Sequence, residues 1–352
     1  MFLRNSWYVA AFDHEVGQAP FARTLLGEPI VLFRGSDGTA AALADSCCHR
    51  ALPLSMGTVV GDNLRCGYHG LAFAADGACV SVPGQSTVPP GASVRSYPVT
   101  ERYGWIWAWM GDPALADPAL LPDWHWLESP DWEMVEGNGG KPLPMGCNYE
   151  LISDNLFDLT HLSYVHATSI GTDAIVDFPC KTERLERSVR MSRLVIDRPA
   201  APFYQWCGRF EGNVDRWLIT TIDMPCFLVN HAGCVDTGSG VDMQGGRRDG
   251  GVELKVLNAL TPETATTTHY FYGHTRNFRL GEEEVTEKFR TNFTQVFLED
   301  KAILEAQQAM MSADPDAPRI DINADGPGLQ VRRLLRELIA AERRDPASIA
   351  AE

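Results

Sequence analysis

Two small mixed pairs, Cys47-x-His49 and Cys66-x-x-His69, open the chemistry of this chain, in the stretch CCHRALPLSMGTVVGDNLRCGYHG. Each pair joins one soft thiolate to one imidazole. Such donors suit either a tetrahedral zinc ion or an iron-sulfur cluster whose two irons are ligated differently. The order of the residues separates the two. Zinc fingers keep their cysteines in one pair and their histidines in the other. Here both pairs are mixed, so each loop gives one thiolate to one iron and one imidazole to the other iron of a [2Fe-2S] centre. Cys48 adjoins Cys47, but only Cys47 keeps the C-x-H spacing, and Cys48 is read as a small packing residue. A set of buried thiols and core histidines is the alternative, and it leaves four residues in two spaced pairs unexplained.

A second loaded stretch is Asp154-Asn155-Leu156-Phe157-Asp158-Leu159-Thr160-His161-Leu162-Ser163-Tyr164-Val165-His166. Five residues turn a helical side chain by about 140°. His161 and His166 therefore converge on one ion only if the helix ends or is distorted between them. A 2-His-1-carboxylate iron site needs a third ligand and keeps positions open for dioxygen. A long helix expected from about 282 to 311 offers one. Phe289, Phe293, Val296, Ile303 and Leu304 define its apolar stripe, with Asp300 at the centre and Glu299 about 100° away. A carboxylate facing a core costs several kcal/mol unless it is paired or binds metal. Asp300 is thus the ligand candidate, with a salt bridge to a buried arginine as the alternative.

Taken together the two motifs resemble the oxygenase components of the Rieske non-haem iron oxygenases. The first matches the C-x-H...C-x-x-H signature with Gly67, Tyr68 and Gly70 around its second half, although Cys48 stands where a proline is usual. The second matches the D-N-x-x-D-x-x-H-x-x-x-x-H iron motif. Pro83-Gly84-Gln85, Glu101-Arg102-Tyr103-Gly104, Leu260-Thr261-Pro262-Glu263 and His269-Tyr270-Phe271 are similar to the single-subunit O-demethylases of the vanillate and dicamba type.

That resemblance implies a [2Fe-2S] cluster on Cys47, His49, Cys66 and His69, and a mononuclear Fe(II) on His161, His166 and Asp300. It implies that Asp158 bridges His69 of one subunit to His161 of the next in a head-to-tail homotrimer, and that Asn155 lies near the iron. A flavin and iron-sulfur reductase would donate electrons; dioxygen and a small aromatic compound would be the substrates. The expected reaction is hydroxylation of a methyl group, O-demethylating a methoxylated aromatic acid such as vanillate with release of formaldehyde, in aromatic catabolism. Ring hydroxylation and N-demethylation are alternatives with the same metals. A Rieske electron-transfer protein is a reading from another class, opposed by the long chain that follows the first domain. An aromatic carboxylate would need a cationic or hydrogen-bonding group in an apolar pocket, for which Asn258, His269, Arg276 and Asn230 are candidates.

The elements that must position these residues read as α+β: an N-terminal all-β Rieske domain over 1–115, then a catalytic domain over 116–352 with an antiparallel sheet flanked by helices. In the first, apolar runs alternate with turn pairs such as Asp37-Gly38, Asp76-Gly77 and Pro83-Gly84. Ile30 to Phe33 is a buried strand, and Trp105, Trp107 and Trp109 share one face of another. A proline-rich linker from 112 to 130 follows. Next come a helical segment from about Asn148 to His166 and β-like runs near 182–197, 203–210, 216–230, 252–260 and 265–273. Residues 233–251 read as a glycine-rich loop and candidate lid. A last helix spans 329–343.

Lys and Arg number 30 against 46 Asp and Glu, a formal charge of -16, which repels phosphate backbones and anionic membranes. No nucleic-acid partner is expected. Nine scattered cysteines fit a reducing compartment. No signal peptide is read at the start and no apolar run reaches membrane-spanning length, so a cytoplasmic protein is expected.

Overall fold

The computed structural model describes residues 1–241 and 251–344. They form two compact units. The first is Met1–Leu121 with Thr261–Ala265 and the residues from Ile339; the second is Pro122–Leu260 with Thr266–Leu338.

The first unit is built of short antiparallel strands: β1 (Trp7–Phe12), β2 (Phe21–Leu25), β3 (Glu28–Arg34), β4 (Ala40–Ala44), β5 (Thr58–Val60), β6 (Asn63–Arg65), β7 (Ala72–Phe73), β8 (Cys79–Ser81), β9 (Ser96–Tyr97), β10 (Val99–Arg102) and β11 (Trp105–Trp109). They make three small sheets, ordered β1-β11-β10, β2-β3-β4-β9 and β5-β6-β7-β8. β11 is buried along its whole length, so Ile106 and Ala108 are as enclosed as the three tryptophans. A strand covered on both faces needs apolar residues at every position rather than at alternate ones. Trp7 meets Trp109 edge-on at 5.4 Å between ring centroids. A second apolar cluster joins Val31, Phe33 and Leu43 to Leu64, Leu71 and Phe73, and the thiols of Cys47 and Cys66 belong to it.

The second unit holds β12 (Glu133–Glu136), β13 (Leu143–Met145), β14 (Cys180–Arg184), β15 (Ser188–Arg198), β16 (Val214–Asp223), β17 (Phe227–Asp236), β18 (Val252–Pro262) and β19 (Thr268–Arg276). Seven of them run in the order β12-β19-β18-β17-β16-β15-β14, with β13 pairing β19. The helices are α1 (Tyr149–Phe157), α2 (Leu162–Val165), α3 (Pro202–Gly208), α4 (Glu283–Ala313) and α5 (Gly326–Glu342).

Four sequence expectations change here. Residues 203–210 are helix α3 over most of their length, opened by Pro202 in its first turn, where a proline has no amide hydrogen to lose. The run 216–230 is two strands, β16 and β17, paired from Val214 with Asp236 to Asp223 with Phe227. Residues 233–236 continue β17, and the rest of the expected lid, 242–250, lies outside the described residues. All nine cysteines are free, and Cys48 is exposed instead of packed. Among the described residues no helix is long and apolar enough to cross a membrane.

Trp107 is fully buried and its indole Nε1 donates to the Arg102 carbonyl at 3.1 Å. Trp107→Ala is expected to destabilise the first unit by about 3–5 kcal/mol, read by urea unfolding of the full chain; a loss below about 1 kcal/mol would show that the strand is held by other contacts.

Candidate metal centres and cavity

The two Cys/His loops share one hydrogen-bond pattern. In the first, the Cys47 amide donates to the Leu52 carbonyl at 2.9 Å and the Ala51 amide to the Cys47 carbonyl at 2.8 Å. In the second, Cys66 donates to Leu71 at 2.8 Å and Gly70 to Cys66 at 3.1 Å. Each cysteine therefore starts a closed turn of the same length. The closing residue needs positive φ, which Gly70 meets at 76° and Ala51 at 54°. Gly67 is fixed by space: a Cβ there would lie 2.6 Å from the Met56 carbonyl oxygen.

The loops turn their thiols inward and their imidazoles outward. Cys47 and Cys66 are buried with their sulfurs in hydrogen-bond contact, and burial pushes the Cys47 thiol up. His49 and His69 are exposed with ring centroids 4.5 Å apart. This donor set, two thiols together inside and two imidazoles together outside, fits a cluster with one thiolate-bound iron and one imidazole-bound iron.

In the second unit the helix does break where convergence demands. α1 starts with Asn148, whose side chain accepts from the Glu150 amide at 2.7 Å, and ends at Phe157. Asp158 leaves helical geometry at φ -91° and ψ 88°. A tight turn, Leu159–His161, leads into the single turn of α2, and His166 follows that turn at φ -116° and ψ 26°. The two rings thereby come within 5.3 Å, centroid to centroid. Asp300 reaches them from α4, where it is buried in the stripe of Phe289, Phe293, Val296, Phe297 and Leu304. Ile303, expected in that stripe, is 46% exposed.

Donor atoms of His161, His166 and Asp300 all lie within 4.8 Å of one another. His166 Nε2 stands 3.1 Å and His161 Nε2 3.6 Å from Asp300 Oδ1. The opposite nitrogens are held by acceptors: His166 Nδ1 by Glu299 Oε2 at 2.8 Å, His161 Nδ1 by the Asp158 backbone carbonyl. An acceptor at Nδ1 keeps the hydrogen there and leaves the Nε2 lone pair facing Asp300. Burial alone lowers the His166 pKa, but hydrogen bonds to Asp300 and Glu299 outweigh it and raise the pKa. Two lone pairs and a carboxylate facing one another need a proton or a cation among them, and the set fits a 2-His-1-carboxylate iron. Asn155 Nδ2 donates to Asp300 Oδ1 at 3.1 Å. The Asp158 carboxylate caps the tight turn, accepting from the Thr160 amide at 2.9 Å. Asp154 is structural, paired with Arg332 of α5.

These donors line a cavity between α4 and the sheet. Beyond the iron-site residues and Asn155 its walls are mostly aliphatic and aromatic, with Asn230, Thr220, His231 and Arg216 as polar exceptions, His231 being held by Glu253 at 2.8 Å. Of the candidates for holding a substrate anion, only Asn230 lies in the wall, and its Nδ2 already donates to Thr220 Oγ1 and the Leu156 carbonyl. Asn258 is spent on Asn230 and three other partners, and Arg276 is paired with Glu133. Arg216 and the role of Glu299 escaped the sequence reading. The signal for Arg216 was a cation at alternate spacing with Leu218 and Thr220 on one strand face.

Residues 6–98 match the family described as Rieske [2Fe-2S] domain, and residues 145–341 that described as Vanillate O-demethylase oxygenase C-terminal domain. The chain is 41% identical to the toluene-4-sulfonate monooxygenase system iron-sulfur subunit of Comamonas testosteroni, covering 97% of this chain and 98% of that one. It is 39% identical to the vanillate O-demethylase oxygenase subunit of a Pseudomonas strain, over 97% and 96%. The crystal structure of dicamba monooxygenase bound to 3,6-dichlorosalicylic acid superposes with a TM-score of 0.88 at 33% identity, covering 98% and 99%. An iron-containing structure of dicamba monooxygenase is also similar. The chain therefore belongs to the Rieske non-haem iron oxygenases, as an oxygenase component that uses a [2Fe-2S] cluster and a mononuclear iron and whose catalytic domain is of the vanillate O-demethylase type.

Proposed function

We propose that this enzyme hydroxylates a methyl group on a single-ring aromatic acid, O-demethylating a methoxylated benzoate of the vanillate kind. The observation that carries the reading is the convergence of His161, His166 and Asp300 on the wall of a largely apolar cavity. The relatives named for vanillate and toluene-4-sulfonate support an aromatic anion as the substrate class.

In this reading Cys47, Cys66, His49 and His69 hold the cluster, and His161, His166 and Asp300 hold the iron. When bound, the cluster supplies single electrons from a separate reductase, and the iron supplies dioxygen activation at its open positions. Glu299 and the Asp158 carbonyl fix the imidazole tautomers that leave Nε2 free to ligate. Asn155 donates to the Asp300 oxygen and limits how that carboxylate turns. The aliphatic walls exclude water from the reacting carbon. The balance is ArOCH3 + O2 + 2 electrons + 2 protons giving ArOCH2OH + H2O, and the hemiacetal then collapses to the phenol and formaldehyde. Asp158 carries electrons between His69 of one copy and His161 of the next in a homotrimer. A second reading, hydroxylation of an aryl methyl carbon, is favoured by the 41% identical toluene-4-sulfonate relative; it gives a benzylic alcohol and no formaldehyde.

With a matched reductase, vanillate or 4-methoxybenzoate is expected to consume oxygen and release formaldehyde in equal amounts; a benzylic alcohol from 4-methylbenzoate with no formaldehyde from any methoxybenzoate would replace this reading by the second. Asp300→Ala is expected to lose the mononuclear iron by metal analysis while keeping the visible absorption of the cluster, and Glu299→Gln to keep most of the iron. Equal iron in wild type and Asp300→Ala would remove Asp300 from the ligand set. Asp158→Asn should retain both metals and lose most of the turnover; unimpaired turnover would take Asp158 out of the electron route.

A further inference from the structure

Arg216 poses a problem of charge. It sits on β16 with Leu218 and Thr220 on the same face, all three in the wall of the iron-site cavity. Its side chain is buried, with the residue only 4% exposed. A guanidinium carries five N–H donors and a permanent positive charge. Here Nη1 donates to the Ile170 carbonyl at 3.2 Å, and the plane lies over the Tyr204 ring at 4.3 Å. The Nε hydrogen is buried with no acceptor. Among the described residues no carboxylate pairs with Arg216, whereas Arg276 has Glu133 and Arg332 has Asp154; Arg193, buried without an ion pair as well, does not line the cavity. Stacking on Tyr204 spreads the charge without neutralising it. A buried, unpaired cation is costly, and an anion entering the cavity would offset that cost.

Among the described residues Arg216 is also the one Lys or Arg in the wall of that cavity, as Asp300 is the one carboxylate. Thr220, four residues on along β16, donates from Oγ1 to the Leu156 carbonyl of α1 at 3.3 Å. Four strand residues span about 13 Å, roughly one substituted benzene ring with a hydrogen-bond contact at each end. Resting on the aromatic-acid reading above, we infer that Arg216 recognises the anionic group of the substrate, an oxyanion carried on an aromatic ring, through the guanidinium donors that the Ile170 carbonyl does not take. A planar fork of donors suits a carboxylate or a sulfonate, and two parallel bonds orient the ring as well as hold it. The anion supplies the missing counter-charge, and the ring then lies along the apolar wall with its far substituent toward Asn155 and Asp300.

The test compares the dissociation constants of 4-methoxybenzoate, 4-methoxybenzenesulfonate and neutral 4-methoxybenzamide by calorimetry on the fully metallated protein, for wild type, Arg216→Met and Arg216→Lys. Wild type is expected to prefer at least one anion to the amide. Arg216→Met should weaken that anion at least about thirtyfold, the usual loss when one partner of a buried charge pair is removed. Its amide affinity should stay within about twofold, with iron content and cluster absorption unchanged. Arg216→Lys keeps the charge but not the fork and should fall between. The two anions tell carboxylate from sulfonate. Equal binding of anion and amide by wild type, no binding of either anion, or an unchanged anion affinity in Arg216→Met would overturn the assignment. If Arg216→Met does not fold, the wild-type preference and Arg216→Lys decide. Arg216-dependent anion binding without formaldehyde would sink the demethylation reading and keep Arg216; formaldehyde production with the same KM in Arg216→Met would do the reverse.

Discussion

Burial of one carboxylate sets the terms for the catalytic unit. Asp300 lies inside the apolar stripe of a 31-residue helix, 4% exposed, where an ionised group without partners is costly. Every group that compensates it comes from one short stretch: Asn155 from the last turns of α1, His161 from the tight turn and His166 from the end of α2. Those three side chains reach one oxygen only because the helix stops at Asp158. Had α1 run on to His166, the two histidines would have pointed about 140° apart. The break, the carboxylate and the cavity beside them are one arrangement.

Much of this was legible in the sequence because it was local or periodic. The Cys/His pairs needed only spacing. The need for a helix break between His161 and His166 followed from residue geometry, and Asp300 stood out from Glu299 through the apolar stripe. The same logic undervalued Glu299. Its position off the stripe excluded it as a core residue, yet from there it reaches His166 Nδ1 at 2.8 Å. Helical angles locate a side chain around its own axis and say nothing of which partner lies beyond it.

What stayed illegible was fixed by distant neighbours. The segment Phe203-Tyr204-Gln205-Trp206 has the aromatic content of a strand, and seven residues are too few to display a helical period. Gly233 reads as a loop residue, but a Cβ there would lie 2.0 Å from the Trp217 ring and 2.5 Å from the Val252 carbonyl oxygen. It is small so that β17 can pass between its neighbours, a reason that no local pattern carries. Arg216 was hidden similarly, since only the assembled cavity shows that it has no counter-ion.

The anchoring of α4 separates two kinds of change. Beyond Asp300, Glu305 accepts the Gly146 amide at 2.7 Å and Gln308 the Asn148 amide at 2.9 Å, tying the helix to the chain that leads into α1. Before Asp300, Phe293, Val296 and Phe297 line the cavity without touching those ties. Residues one and two turns away can be exchanged while the carboxylate keeps its place. Such a helix lets descent reshape the cavity and leave the carboxylate in place, a division that suits a lineage whose members are named for vanillate and for toluene-4-sulfonate.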